Sequence, residues 1–181
     1  MDTNTNVLSI SQHTLLKILS CQINGKKYVP QQDEKIDFQK IFRESIYQAV
    51  PLMALEGIEP SCIDPKTLDT WKQYCTKVLQ SNLTVQNHHG FVHELLSSNN
   101  IKYCILKGCS SCLYYPMPFV RSMGDVDFLV SKKDLAKVCM LLDKQDFKMW
   151  DNNHLCHIVF KKDNIHLEMH FEPAGIPDSE Y

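Results

Sequence analysis

The stretch RSMGDVDFLV, residues 121–130, constrains this chain more than any other, because it sets Asp125 and Asp127 one residue apart in an otherwise apolar run of strand character. A carboxylate taken into a core without a partner costs several kcal/mol, so something must stand opposite the pair. In a strand successive side chains point to opposite faces, which puts both aspartates on one face, about 6–7 Å apart. The stretch IHLEMHF, residues 165–171, alternates in the same way, with His166, Glu168 and His170 on one face and Leu167, Met169 and Phe171 on the other. If the two strands are neighbours, three carboxylates converge. Such a cluster repels itself and is stable chiefly with divalent cations, and hard oxygen ligands favour Mg²⁺ or Mn²⁺.

The surrounding pattern predicts how these strands are built in. KYCIL (102–106) reads as a strand and GCSSCLYY as a short helix after a glycine turn. SKKDLAKVCMLLDKQ follows as an amphipathic helix with Leu135, Val138, Cys139 and Leu142 inward, capped by Ser131. HIVFKKDNIHLEMHF reads as two strands joined by a tight turn at Lys162-Asp163-Asn164. Before residue 100 the period is helical: one helix from Val7 to Cys21, one from Asp37 toward Gly57 interrupted at Pro51, and one opened by the Asp64-Pro65 cap with a weak point at Gly90. The expected fold is α+β: a mixed β-sheet core over residues 100–181, preceded by an all-helical region over residues 1–99.

Composition narrows the function classes. A net charge of -2 over 181 residues and a sequence pI near 6.4 leave no basic footprint, so bulk binding of duplex nucleic acid is not expected. Polar residues interrupt each apolar stretch of the N-terminal segment and Asp2 stands where a signal peptide needs positive charge, so a cytoplasmic protein with no membrane partner is expected. Eight cysteines scattered through helical and strand-like patterns read as reduced thiols, and the sequon Asn82-Leu83-Thr84 reads as unused. A rival reading groups Cys109-x-x-Cys112 with His154, Cys156 and His157 as soft ligands for structural Zn²⁺. His88, His89 and His93 have metal-binding spacing on a helix but fit a partly exposed face, and His166 and His170 fit solvated strand positions as well as ligands.

ILKG, then YYPMPFVRSMGDVDFLV, then IHLEMHF together resemble the uncharacterised nucleotidyltransferase family of the DNA polymerase β-like superfamily, over about Ile101 to Phe171. The resemblance implies transfer of a nucleoside monophosphate from a nucleoside triphosphate to an unknown acceptor hydroxyl, with pyrophosphate as leaving group. It implies Asp125, Asp127 and Glu168 as catalytic residues and ligands of Mg²⁺ or Mn²⁺. Lys107, Gly108, Cys109 and Arg121 are implied to hold the nucleotide phosphates. It also implies further helices after the third carboxylate, so a chain ending at Tyr181 is expected to be either a fragment or a shortened form. The alternative is a non-catalytic module on the same fold that binds a nucleotide or a partner protein.

Overall fold

The computed structural model describes residues 8–31 and 34–173; Val7, the expected start of the first helix, and the stretch 174–181 lie outside them. The chain is an α+β fold whose elements gather into two compact units. One comprises the residues up to Gln80 together with Tyr114–Ser122, and the other Ser81–Leu113 together with the residues from Met123 on.

The first unit is helical. Helix α1 (Ile10–Ile23) starts at Ser9, whose hydroxyl accepts from Gln12 N–H while the Gln12 side chain accepts from Ser9 N–H, a capping box. Helix α2 (Phe38–Tyr47) is capped by Asp37, as expected, and the chain then breaks at Gln48–Val50, with Ala49 at φ 55°. Pro51 opens helix α3 (Pro51–Glu56), where its missing N–H costs nothing. Asp64 accepts from Thr67 N–H at the start of α4 (Pro65–Ser98). The core of this unit closes around Trp71, fully buried, its indole N–H donated to the Pro51 carbonyl at 3.0 Å and its ring 5.1 Å from Phe42.

Tyr28, part of this core, ties it to the chain ahead of α2. Its hydroxyl donates to Glu34 Oε2 at 2.8 Å, and burial, followed by that bond and the Glu34 charge, pushes the phenol well above its ordinary value. A group raised in the fold adds stability that is complete below its unfolded pKa, here about 10, and is lost as pH rises through the folded value. Tyr28→Phe is therefore expected to cost about 1 kcal/mol at neutral pH and to flatten the loss of stability above pH ~10 in a melting series. An alkaline slope identical in the two proteins contradicts this.

Helix α4 continues without a break through Gly90, the position expected to be weak, and its later part, from Ser81, belongs to the second unit. The helix is held there by tertiary packing: Val85, Val92 and Leu96 enter a core with Phe128, Val138, Leu142, Phe160, Leu167 and Met169. The sheet has five strands in the order β1-β2-β5-β4-β3. They are β1 (Tyr103–Ile105), β2 (Val126–Val130), β3 (Lys148–Asp151), β4 (His157–Lys162) and β5 (Ile165–His170). β2 and β5 run parallel and the other pairs antiparallel, so the sheet is mixed. The β4–β5 turn lies at Asp163-Asn164, with Asp163 at φ 51°. Helices α5 (Gly108–Cys112) and α6 (Leu135–Asp143) complete the unit. Ser131 does not cap α6 directly: a 3-10 turn, Lys132–Asp134, intervenes and Asp134 takes the cap position.

Candidate active site

The buried strand and its acidic partner meet as the alternation requires. Asp127 lies directly opposite Glu168 in the parallel β2–β5 pairing, and Leu129 opposite His170. Val126, Phe128, Leu167 and Met169, on the other face, are all buried in the core, which anchors the register: a one-residue slip would turn the carboxylates into the core. Asp127 Oδ1 accepts from Lys107 Nζ at 3.0 Å and stands 3.1 Å from His170 Nε2, while His170 Nε2 is 3.7 Å from Glu168 Oε2. In the fold, Lys107 and His170 stand opposite the buried aspartate. His170 is itself buried, 4% exposed, so the solvated reading of this residue is corrected; His166, two residues earlier, is exposed. The physical reason is position in the sheet: the β5 end near His170 is flanked on both sides, by β2 and by β4.

The electrostatics follow from these contacts. Burial alone would raise the Asp127 carboxyl, but the bonds from Lys107 and His170 outweigh it and hold the group below the ordinary aspartate range. Glu168 goes the other way, pushed up by burial and then by the charges of Asp125 and Asp127. The two neighbouring carboxylates are thus shifted in opposite directions by their surroundings. Lys107 is raised, chiefly by its bond to Asp127. Its side chain nevertheless keeps 63% of its surface exposed, so the ammonium can leave the carboxylate without unfolding anything.

Asp125 stands one residue ahead of β2, half-buried, on the wall of a cavity of about 170 Å³ of mixed lining shared with Thr84, Val85, His88, Ile165 and His166. Its neighbour Met123 is held by helix α4: Met123 N–H donates to Asn82 Oδ1 at 2.9 Å. Asn82 is 1% exposed, which keeps the sequon's side chain inside the fold.

The glycine turn is tightly made. Lys107 has φ 43° and ψ -142°, and Gly108 has φ 43°, two successive residues in the region that glycine alone enters freely. A non-glycine residue there stores on the order of 1–3 kcal/mol, and such strain gathers where a backbone is held for a ligand. A Cβ on Gly108 would stand 2.8 Å from His89 Nε2. His89 is buried, not on a partly exposed helix face as its spacing suggested, and neither ring nitrogen has a hydrogen-bond partner among the described residues. Burial lowers its pKa, against the pull of Asp127 and Asp125. Gly108→Ala is expected to cost about 1–2 kcal/mol from backbone conformation alone, with part of any further loss recovered in the double variant with His89→Ala. Chemical denaturation of the four proteins checks this, and an additive double variant would contradict the contact.

The remaining expected phosphate residues are spread differently. Cys109, half-buried, packs by the core with its Sγ 3.9 Å from Met123 Sδ. Arg121 belongs to the segment 114–122 of the first unit and donates to the Ser122 carbonyl. α5 has five residues, too few for a helix macrodipole to matter. None of the eight cysteines, all among the described residues, is in a disulfide. Cys109 and Cys112 do not join a metal-capable group; among the described residues those groups are Asp127–Glu168–His170 and Cys156–His157–His170, each with ligand atoms within 4.8 Å of one another.

The fold thus sets apposed carboxylates on neighbouring strands of a mixed sheet, beside a strained glycine turn. The chain matches the uncharacterised nucleotidyltransferase family over residues 34–176 and belongs to that family. The match extends well ahead of Ile101, where the motifs begin, and takes in most of the helical region. No curated protein matches the chain at a significant level. Family membership supports a role in nucleotidyl transfer.

Proposed function

We propose that the protein is a metal-dependent nucleotidyltransferase that moves a nucleoside monophosphate from a nucleoside triphosphate to an acceptor hydroxyl, with Asp127 and Glu168 at the reacting centre. The observation that carries this is the register pair Asp127↔Glu168, with one carboxyl held ionised and its neighbour raised. The donor set fits a hard divalent cation such as Mg²⁺ or Mn²⁺: two carboxylates and an imbalance of negative charge that Lys107 only partly offsets. Asp127 and Glu168 would hold the ion, with Asp125 beside them, and when bound the ion supplies Lewis-acid stabilisation of phosphate charge. Glu168 accepts the proton of the acceptor hydroxyl as that oxygen bonds to the α-phosphorus and the bond to the β-phosphate oxygen breaks, releasing pyrophosphate. Lys107, exposed over most of its side chain, would turn from Asp127 to neutralise phosphate; Gly108 lets the backbone approach it, with Cys109 as a further phosphate contact.

The Lys107–Asp127 ion pair also favours a second reading, in which the carboxylate is satisfied internally and the fold binds a nucleotide or protein without turnover. Incubating the protein with each of four α-labelled nucleoside triphosphates, Mg²⁺ or Mn²⁺ and cell extract separates the two. Metal-dependent labelling of an acceptor by one nucleotide is expected; tight nucleotide binding with no labelling in any combination would establish the second reading.

A further inference from the structure

We propose that Cys156, His157 and His170 form a separate site for a borderline transition-metal ion, Zn²⁺ by chemistry, next to the carboxylates and distinct from the hard-cation site. The sheet makes the juxtaposition. His157 and His170 are directly paired across β4 and β5, with ring centroids 5.0 Å apart, and Cys156 is the residue leading into β4. Its Sγ lies 3.7 Å from His157 Nδ1, and one ligand atom from each of the three residues falls within 4.8 Å of the others. Bonds of about 2.0–2.3 Å to zinc place tetrahedral ligand atoms roughly 3.3–3.8 Å apart, a separation that the Cys156–His157 pair already has.

The second, independent observation is an orphan. His170 Nδ1 is buried and has no hydrogen-bond partner among the described residues. A buried ring nitrogen left bare is costly, whereas His170 Nε2 is engaged with Asp127 Oδ1 at 3.1 Å. Donation of an Nε2–H to that carboxylate sets the tautomer in which Nδ1 carries the lone pair. A carboxylate behind a histidine is the usual support of a ligating imidazole. One thiolate and two imidazoles select Zn²⁺ over Mg²⁺, and three protein donors leave a fourth position for water. On binding, the Cys156 thiol gives its proton to solvent. His154, stacked on His157 with centroids 4.0 Å apart and paired with Asp151, covers the site from the loop ahead of β4. A metal here would fix the His170 ring and so position Asp127. The proposal does not rest on nucleotidyl transfer, because its test reads the metal itself.

The test is titration of the metal-stripped full chain with Co²⁺, followed by competition. The expected result is a one-to-one complex with a thiolate-to-cobalt charge-transfer band in the near ultraviolet, displaced by Zn²⁺ and unaffected by excess Mg²⁺. Cys156→Ser should abolish the band and weaken Zn²⁺ binding by more than the roughly 10- to 100-fold that loss of an outer hydrogen bond costs, while Asp127→Asn should cause about that smaller loss and keep the band. Cys109→Ser and Cys112→Ser should leave the band intact. Should Cys156→Ser fail to fold by circular dichroism, His157→Gln is read in its place by affinity: Zn²⁺ binding should weaken by more than roughly 100-fold, and unweakened binding would overturn the proposal. Absence of the band in the parent, or a band that survives Cys156→Ser or disappears with Cys109→Ser, would overturn the proposal.

Discussion

Asp127→Asn is expected to lower nucleotidyl transfer by on the order of a thousandfold or more, about 4 kcal/mol of barrier, while the protein stays folded. The side chain sits 2% exposed in β2, opposite Glu168, so an amide of the same shape fills its place without a cavity. The amide oxygen still accepts from Lys107 and His170, and Lys107, exposed over most of its side chain, takes up water if its ion pair is lost. Stability should therefore change by no more than about 2 kcal/mol. What the variant lacks is the negative charge that the proposed cation would need. Pyrophosphate release, with circular dichroism and denaturant midpoints on the same preparations, reads both quantities. A variant as active as the parent would remove Asp127 from the chemistry, and one that does not fold would make it a structural residue.

Mg²⁺ or Mn²⁺ is expected to raise the melting temperature of the parent substantially. Ligand binding to the folded state alone adds about 2.7 kcal/mol at a free concentration a hundred times Kd. For a chain of this size, 1 kcal/mol corresponds to roughly 2–4 °C, so saturating metal should raise Tm by about 5–10 °C. The increment is expected because burial and the charges of Asp125 and Asp127 raise Glu168, a cost that a bound cation would relieve. Glu168→Gln relieves the same repulsion and deletes a ligand, so its Tm in metal-free buffer should match or exceed that of the parent, and its response to Mg²⁺ should largely vanish. Scanning calorimetry of both proteins with and without metal checks this; equal responses in the two would contradict it.

The centre of the site was legible because it rests on the period of a strand. Alternation over 125–130 and 165–171 placed the acidic positions on one face, and the apolar positions between them fill the core that locks Asp127 against Glu168. The caps at Asp37 and Asp64-Pro65 were legible because their hydrogen bonds are local. Strand β3 was missed. Lys148, Met149 and Trp150 are all exposed on this edge strand, with the Lys161 ammonium 3.7 Å from the Trp150 ring centroid, so no alternation marks it. The partners of Asp127 were hidden for a different reason. Lys107 reaches the carboxylate from a backbone conformation that residue types do not announce, and the burial of His89 and His170 depends on which elements flank them. Asn82, which holds the entry to β2 through Met123, looks in the sequence like an ordinary polar residue on a helix.

Two labels on one nucleotide test the central claim most directly. With the preferred nucleoside triphosphate, Mg²⁺ or Mn²⁺ and extract as the source of acceptor, the α-³²P label should enter the acceptor in the parent, the γ-³²P label should leave as pyrophosphate, and neither should move with Asp127→Asn. Transfer of the γ label to the acceptor, or transfer of the α label undiminished by Asp127→Asn, would contradict nucleotidyl transfer at the Asp127–Glu168 pair.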